Sequence, residues 1–433
     1  MIIKIFKGKC KIEPIPTEAL AITLEKEFSY KKQGSEFMPN PHWAIVKLYK
    51  IKTGIFPLGF LNKVIGIIKQ WNDYKKIDDN IELINLNTHN GSKIKLADTE
   101  TKLRPYQTQA VETFLDHKRG IIALATGLGK TLTAINIIKA ISVRTLIIVH
   151  TTELLKQWYN VIQKELSYDS GLLCGSKKEV KDITIASIQT LYNRKEIIKD
   201  FDFIIIDESH HISADMIYKT GLEFTQEYVL GLTATPYRSD GNDMKIHAIA
   251  GDIIYQKNIK WGIDNGYLCP AEVKWLDIQD DIKVARFDKY PDIYNNKIVF
   301  NDKRNEAIIN TAKDHQGKIL ILVSRIEHGD ILLEMLQGLD VIFIQGKTKD
   351  KDTNHRIIIA TSIFDEGLDI PDISGVILAG GGKSSITTVQ RMGRGLRIYP
   401  GKEKLIIYDF IESCKYLVKH YLERKAIYER ELE

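Results

Sequence analysis

The chain has 433 residues, 44% hydrophobic and 27% charged, with a formal net charge of +5. That length allows two or three domains with cores of their own, and the apolar runs are strand length, which excludes a membrane-spanning helix. The opening MIIKIFKGKC lacks the apolar stretch and cleavage site of a secretory signal, so a cytoplasmic location is expected.

The four cysteines, Cys10, Cys174, Cys269 and Cys414, share no CxxC spacing. This excludes a disulfide scaffold and a cysteine zinc site and suits a reducing compartment. Charge is unevenly placed. Residues 1 to 98 carry 16 Lys plus Arg against 10 Asp plus Glu, a net of +6, and the remainder nets −1. A basic accessory domain beside a near-neutral remainder points to a nucleic-acid partner, although solvated charged faces are commoner than DNA-binding ones.

In chain order, residues 1–98 hold short strand-like segments and then FLNKVIGIIKQWNDY, whose apolar spacing predicts a helix over 61–74. NLNTHNGSK follows as a turn or linker. From there strand-then-helix units repeat, with GIIALA, TLIIVH, ITIAS, FIIID and VLGLT as strands. Such continuous Ile/Leu/Val runs belong to a parallel sheet buried on both faces. The pattern pauses between about 237 and 300 and resumes with KILILVS, VIFIQG, RIIIAT, GVILAG and KLIIYDF, before a mixed-charge helix ends the chain. The economical division is an accessory domain over 1–98, a first α/β lobe over 99–250, and a connector, second lobe and C-terminal helix over 251–433.

The stretch GIIALATGLGKT reads as a buried strand, a tight loop and a helix beginning near Lys130. Successive backbone N–H groups over Thr126, Gly127, Leu128 and Gly129, with the helix N-terminus, would cradle the phosphates of ATP. Lys130 would reach the β and γ phosphates, and Thr131 would supply a ligand to Mg2+. The strict pattern wants Gly at 124, where this chain has Leu. FDFIIIDESHH then places Asp207 and Glu208 at the end of an apolar strand. Asp207 there can hold Mg2+, directly or through water, and Glu208 can polarise an attacking water. His210 and His211 lack acidic or cysteine partners at zinc spacing, so His210 is read instead as coupling the nucleotide site to the next motif.

ATGLGKT, DESH, GLTATPYRSDG, TSIFDEGLDIP and QRMGRGLR resemble, in order and spacing, motifs I, II, III, V and VI of the superfamily 2 helicases. Within that superfamily the TATPYR element and the shape of motif VI are most similar to the branch of the phage UvsW helicases, the XPB repair helicase and the type I restriction motors. The basic N-terminal domain and the compact length favour the UvsW-like group. The resemblance covers roughly residues 100 to 412. It implies an α/β fold of two tandem RecA-like parallel-sheet lobes preceded by a small basic α+β domain.

Carried onto this chain, the resemblance makes Arg104 and Gln107 in LRPYQTQA the adenine or ribose contacts. It places Thr151, Gln157, Ser187 and Thr190 near a nucleic-acid backbone, with helix or loop capping as the competing role for each. Thr233 and Thr235 would link hydrolysis to movement, and Arg238 and Asp240 would form either a turn salt bridge or a DNA-side contact. In the second lobe, Arg394 and Arg397 would face the transferring phosphoryl group, with Gln390 one turn earlier. Gly367 and Asp369 would approach the ribose or the interlobe surface, Glu366 stays ambiguous, and Ser324 and Thr361 would meet the nucleic-acid backbone. Trp43, Tyr49 and Phe56 of the basic domain are either core aromatics, the commoner outcome, or groove and stacking contacts.

A second glycine-rich run, LAGGGKSSITT, looks like another phosphate loop. The position five before Gly382 is Ile377, inside a strand, and no strand ending in a carboxylate follows before motif VI. The expectation is one ATP site and one decoy.

The activity the resemblance implies is an ATP-driven DNA helicase or translocase working on forked, D-loop or Holliday-type junctions in recombination, repair and fork rescue. Its expected partners are branched or duplex DNA, with single-stranded DNA and phage or host recombination proteins as further candidates. It would act as a monomer in the cytoplasm of a bacterial host if phage-encoded. An RNA or RNA–DNA hybrid helicase, a translocating restriction subunit and an ATP-gated scaffold without unwinding are the alternatives.

Overall fold

The computed structural model describes residues 1–31, 44–87, 91, 93–97, 101–175, 177–208, 214–234, 243–279, 282, 284, 288–345, 352–361, 370–381, 393 and 395–432. These divide into two compact units, one of Met1–Leu124 with Gly129–Gln256 and one of Ala125–Leu128 with Lys257–Glu433.

The first unit opens with a small α+β domain. Its strands are β1 (Ile2–Phe6), β2 (Lys9–Glu13), β3 (Ser29–Lys31), β4 (Ile45–Lys47), β5 (Ile55–Pro57) and β6 (Glu82–Asn85), with helices α1 (Glu18–Glu27) and α2 (Leu61–Lys75). One sheet runs β5-β2-β1-β6, and β3 pairs with β4. Along β1 and β2 the residues alternate, so Ile3, Ile5, Cys10 and Ile12 face inward while the lysines face out. Leu20 and Leu24 of α1 and Val64 and Ile68 of α2 close this core, and the rings of Phe28 and Phe60 stack at 4.4 Å. Helix α2 matches the expected 61–74 to one residue.

Tyr49 and Phe56 belong to this core, each only 1% exposed. The groove or stacking role considered for them is corrected, because a ring sealed by its own domain presents no face to a base. Trp43 lies outside the described residues.

The first lobe follows, with α3 (Pro105–His117), β7 (Arg119–Leu124), α4 (Lys130–Ile141), β8 (Thr145–Val149), α5 (Thr152–Leu166), β9 (Gly171–Cys174), β10 (Lys177–Lys178), β11 (Ile183–Ser187), α6 (Ile188–Tyr192), β12 (Phe203–Ile206), α7 (Ala214–Gly221), β13 (Tyr228–Thr233), α8 (Asp243–Ala250) and β14 (Ile253–Lys257). The sheet order is β10-β9-β11-β8-β12-β13-β7-β14. The ladders from β9 through β11, β8, β12 and β13 to β7 are parallel, and β10 adds antiparallel at one edge. Strands with every residue buried, such as β8 and β12, are the continuous Ile/Leu runs of the sequence.

The small domain is seated on α7 and α8. Ala248 lies inside its hydrophobic core, and Tyr218 and Met244 pack against it. Two glycines make the approach possible. A Cβ on Gly8 would stand 2.2 Å from the Gly221 carbonyl oxygen, and one on Gly59 would stand 2.2 Å from that of His247. The Gly8 amide donates to the Leu222 carbonyl at 3.2 Å, and Lys7 pairs with Glu223 at 2.7 Å.

The second unit contains α9 (Ile259–Asp264), β15 (Ala271–Asp277), α10 (Tyr290–Tyr294), α11 (Asp302–Asp314), β16 (Lys318–Leu322), α12 (Ile326–Met335), β17 (Val341–Ile344), β18 (Ile357–Ala360), β19 (Ile373–Ile377), β20 (Leu405–Ile411) and α13 (Lys415–Leu432). Its sheet, β15-β20-β19-β16-β18-β17, is parallel throughout the described ladders. The pause in the sequence pattern is thus not empty: β14 extends the first sheet and β15 forms an edge of the second.

The C-terminal helix is tied to that second sheet through Asp409. This fully buried carboxylate accepts from Arg424 Nε at 2.8 Å, Arg424 Nη2 at 2.9 Å and the Tyr428 hydroxyl at 2.8 Å. Stripping one partner from a buried pair of this kind costs about 3–5 kcal/mol.

Candidate functional site

Parallel strands deliver their following loops to one edge of a sheet, and ligands of open α/β sheets bind at that carboxyl edge. In the first lobe the segment after β7, Thr151 after β8, Ser187 ending β11, Asp207 after β12 and Thr233 ending β13 all fall on this edge. In the second lobe Ser324, Thr361 and Gly380 follow β16, β18 and β19 in the same sense.

The loop after β7 turns on two glycines in the left-handed region, Gly127 at φ 93° and Gly129 at φ 79°. Gly129 is the N-cap of α4, so the helix begins at Lys130 and its first-turn amides are free of intrahelical partners. Leu124 explains the missing first glycine of the strict pattern: it is the last residue of β7 and is fully buried in the sheet. Leu128 is also fully buried, whereas Thr126 and Thr131 are half-buried. Within the second unit, a Cβ on Gly127 would lie 3.2 Å from the Gly393 carbonyl, and one on Gly393 would lie 2.5 Å from Thr126 Cβ.

Gln107 braces the same loop from α3. Its Oε1 accepts from the Arg104 amide at 2.9 Å, and its Nε2 donates to the Gly129 carbonyl at 3.4 Å. The side chain is only 3% exposed. The helix cap and the phosphate loop are therefore joined by one amide.

Asp207 and Glu208 stand opposite. Lys130 Nζ is 3.5 Å from Glu208 Oε1. Asp207 is 4% exposed and is oriented by two donors: Trp158 Nε1 at 2.6 Å on Oδ2 and the Glu208 amide at 2.9 Å on Oδ1. Burial first, and the charge of Glu208 second, push its carboxyl up to about 6, while the Trp158 hydrogen bond and Lys130 pull it back. Glu208 itself sits at φ 45°, a conformation costly for a residue with a Cβ and concentrated at functional sites. Two crowded carboxylates form an all-oxygen donor pair, which fits a hard cation such as Mg2+ and would be relieved by one. The Trp158 donor was not foreseen: it lies on α5, remote in sequence from the carboxylate, and nothing local marks it.

The polar residues expected near nucleic acid have local duties. Thr151 caps α5, accepting from the Leu154 amide at 3.2 Å, and Ser187 caps α6, accepting from the Thr190 amide at 3.2 Å and donating to the Thr190 hydroxyl at 2.9 Å. Gln157 is exposed on α5. Ser324 donates to the Gly380 carbonyl at 3.4 Å, and Thr361 is 9% exposed. That same Gly380 carbonyl accepts from the Tyr294 hydroxyl at 2.7 Å, so the start of the second glycine-rich run is engaged within its own lobe. Arg397 is described and half-buried. His210, His211, Thr235, Arg238, Asp240, Glu366, Gly367, Asp369, Gln390 and Arg394 lie outside the described residues.

Parallel α/β lobes in series, the first carrying a lysine-tipped phosphate loop against a buried Asp-Glu pair, define a helicase-type ATPase. Comparison with known proteins places the chain more closely. Residues 100–238 match the family described as type III restriction enzyme, res subunit, and residues 303–399 match the helicase conserved C-terminal domain. The chain is 31% identical over 356 residues to the DNA 3′-5′ translocase XPB2 of Sulfurisphaera tokodaii, covering 71% of this chain and 81% of that protein. It is 29% identical over 379 residues to a helicase of Sulfolobus islandicus filamentous virus, covering 76% and 68%. Among solved structures, the DNA-bound Type ISP restriction-modification enzyme LlaBIII shares the fold with a TM-score of 0.57 at 16% identity, over 84% of this chain and 32% of that one. The chain belongs to the superfamily 2 helicases, in the UvsW/XPB branch, and is an ATP-hydrolysing, nucleic-acid-dependent helicase or translocase.

No helix among the described residues is long and apolar enough to cross a membrane.

Proposed function

We propose that the protein is a DNA helicase that unwinds and branch-migrates forked, D-loop or Holliday-type junctions, moving 3′ to 5′, in recombination, repair and rescue of stalled replication. The observation that carries the ATPase half is the pairing of Lys130 with Glu208 beside the oriented Asp207. The DNA half rests on the likeness to a relative named a DNA 3′-5′ translocase and on the +6 charge of residues 1–98. That basic domain would grip duplex DNA beside the branch.

In this reading the amides of Gly129 and of the first turn of α4 hold the phosphates of ATP, and Lys130 neutralises the β and γ oxygens. Asp207 and Thr131 would hold Mg2+, which when bound offsets charge on the transferring phosphoryl group. Glu208 orients and deprotonates the attacking water, and moves off Lys130 to do so. By the resemblance of QRMGRGLR to motif VI, Arg394 and Arg397 would supply positive charge to the γ phosphate, with Gln390 assisting. Gly367 and Asp369 contact ribose, Arg104 and Gln107 frame the adenine side, and His210, Thr233 and Thr235 relay hydrolysis to the DNA-facing residues Thr151, Gln157, Ser187, Thr190, Arg238, Ser324 and Thr361.

The test is steady-state ATPase of the unaltered protein and Lys130→Ala without nucleic acid and with linear duplex, a four-way junction or RNA. Junction DNA should stimulate well above linear duplex, and the variant should stay flat. Strong stimulation by RNA with a weak junction response would redirect the assignment to an RNA-directed enzyme.

A further inference from the structure

The joint between the N-terminal domain and the first lobe leaves a cleft of ≈ 500 Å³. Its sides carry Lys9, Lys47 and Lys50 from the small domain, Lys219 from α7 and Lys245 from α8. Asp215 is the single acidic residue in the lining, and it is held in an ion pair with the buried Lys245. Lys47 is paired with Glu25 at 2.7 Å. Lys50 and Lys219 are exposed and, among the described residues, their ammonium groups form no ion pair. The floor between these cations is apolar, its partly exposed residues being Phe6, Val46 and Ile55 on one side and Leu222 on the other.

A cation excess without matching carboxylates raises the local concentration of anions. An apolar floor under a cationic rim suits a chain that alternates charged phosphate with a hydrophobic sugar face, and the volume lies within the range of natural ligand clefts. A metal ion would find one carboxylate, Asp215, already paired with Lys245 and outnumbered by the lysine ammonium groups.

We propose that this cleft is a further binding site for the DNA backbone, with phosphates seated on Lys9, Lys50 and Lys219. The inference rests on the DNA reading above and gives the basic domain its contact surface. That surface is not the aromatic pair Tyr49 and Phe56 but the lysine-rimmed joint beside them. The lining belongs partly to α7 and α8, the helices that follow Glu208 and Thr233 in the chain. Backbone held there presses on the elements next to both nucleotide-site motifs.

The experiment uses the full chain and compares Lys50→Gln/Lys219→Gln with a control, Lys63→Gln/Lys69→Gln, which removes the same charge from exposed positions of α2. Binding of a labelled four-way junction is followed by fluorescence anisotropy across a salt series, and thermal melting checks folding. Loss of two phosphate contacts should make the log–log salt slope shallower by about 2 and weaken binding roughly tenfold or more at low salt. The control should stay within about half a unit of the unaltered slope. Equal effects in the two doubles, or no effect in the cleft double, overturn the inference while leaving the DNA reading intact. Loss of binding to an oligo-glutamate peptide with DNA binding unmoved would make the cleft a protein-docking site and also overturn it. Failure of the unaltered protein to bind any DNA overturns the functional reading and this inference with it. If the cleft double melts early, Lys219→Gln alone is read in the same series, with a slope change of about 1 expected.

Discussion

Trp158 donates its indole N–H to the carboxylate of Asp207 at 2.6 Å, from a side chain only 1% exposed. An indole N–H can donate but never accept, so this contact fixes the orientation of the carboxylate and favours its charged form. Trp158→Phe keeps most of the packing and removes the donor. Losing one bond to a buried charged group costs about 1.5–3 kcal/mol. Because the bond holds the Asp207 carboxyl down against burial and Glu208, its loss raises that carboxyl above about 6. The acid limb of the ATPase pH profile should therefore move to higher pH, with a lower rate at neutral pH. An unshifted profile would show that the tryptophan only fills space.

Gly129 combines a left-handed φ of 79° with a Cβ position 2.4 Å from Gln107 Nε2. Gly129→Ala meets both obstacles, the conformational one costing about 1–2 kcal/mol. Adding Gln107→Ala removes the clash but not the backbone penalty. Melting curves should show the double variant between the single Gly129→Ala and a Gln107→Ala control. Nucleotide affinity, read by titration with a fluorescent ATP analogue, should fall in both variants that carry Gly129→Ala.

Gly59 allows the small domain to touch the backbone of α8. Gly59→Ala would drive a methyl group into the His247 carbonyl oxygen at 2.2 Å and the Ala248 carbonyl at 2.6 Å. Hydrogen exchange should quicken at the amides of α8 and at Gly8, whose bond to Leu222 crosses the same joint. Exchange confined to α2 would contradict the seating described above.

His328 is fully buried, with its Nε2 2.9 Å from Asn305 Oδ1. Burial, reinforced by the charge of Arg304, pushes its imidazole down to about 3. The sign is that of a depressed base: its full contribution is present above the unfolded value of about 6.5 and is lost as pH falls toward 3, at about 1.4 kcal/mol per pH unit. His328→Gln retains a donor and cannot titrate. The fall in melting temperature between about pH 7 and pH 5 should shrink by roughly 4 °C in the variant, given the usual dependence for chains of this class.

What the sequence discloses follows from how local each determinant is. β8 and β12 announce themselves because a strand covered on both faces must be apolar at every position. The phosphate loop is legible because glycines, lysine and threonine must be contiguous to do that chemistry. β15 is not legible in the same way: AEVKWLD lies at a sheet edge, mixes charges with apolar residues, and is half-buried or exposed along its length. The Trp158–Asp207 and Gln107–Gly129 bonds join separate segments and leave no periodic trace. Tyr49 and Phe56 show the converse limit, since an aromatic reads alike in sequence whether its face meets a base or its own core.

The seating of Ala248 within the N-terminal core bears on how such a chain can be rearranged by evolution or by cutting. A protein begun after residue 98 would carry Ala248, Tyr218 and Met244 into water as an apolar scar on α7 and α8. Such scars are covered by self-association. Exchange of the accessory domain for another would need a newcomer with glycine-sized hollows facing Gly221 and His247, so the joint restricts which domains this lobe could accept.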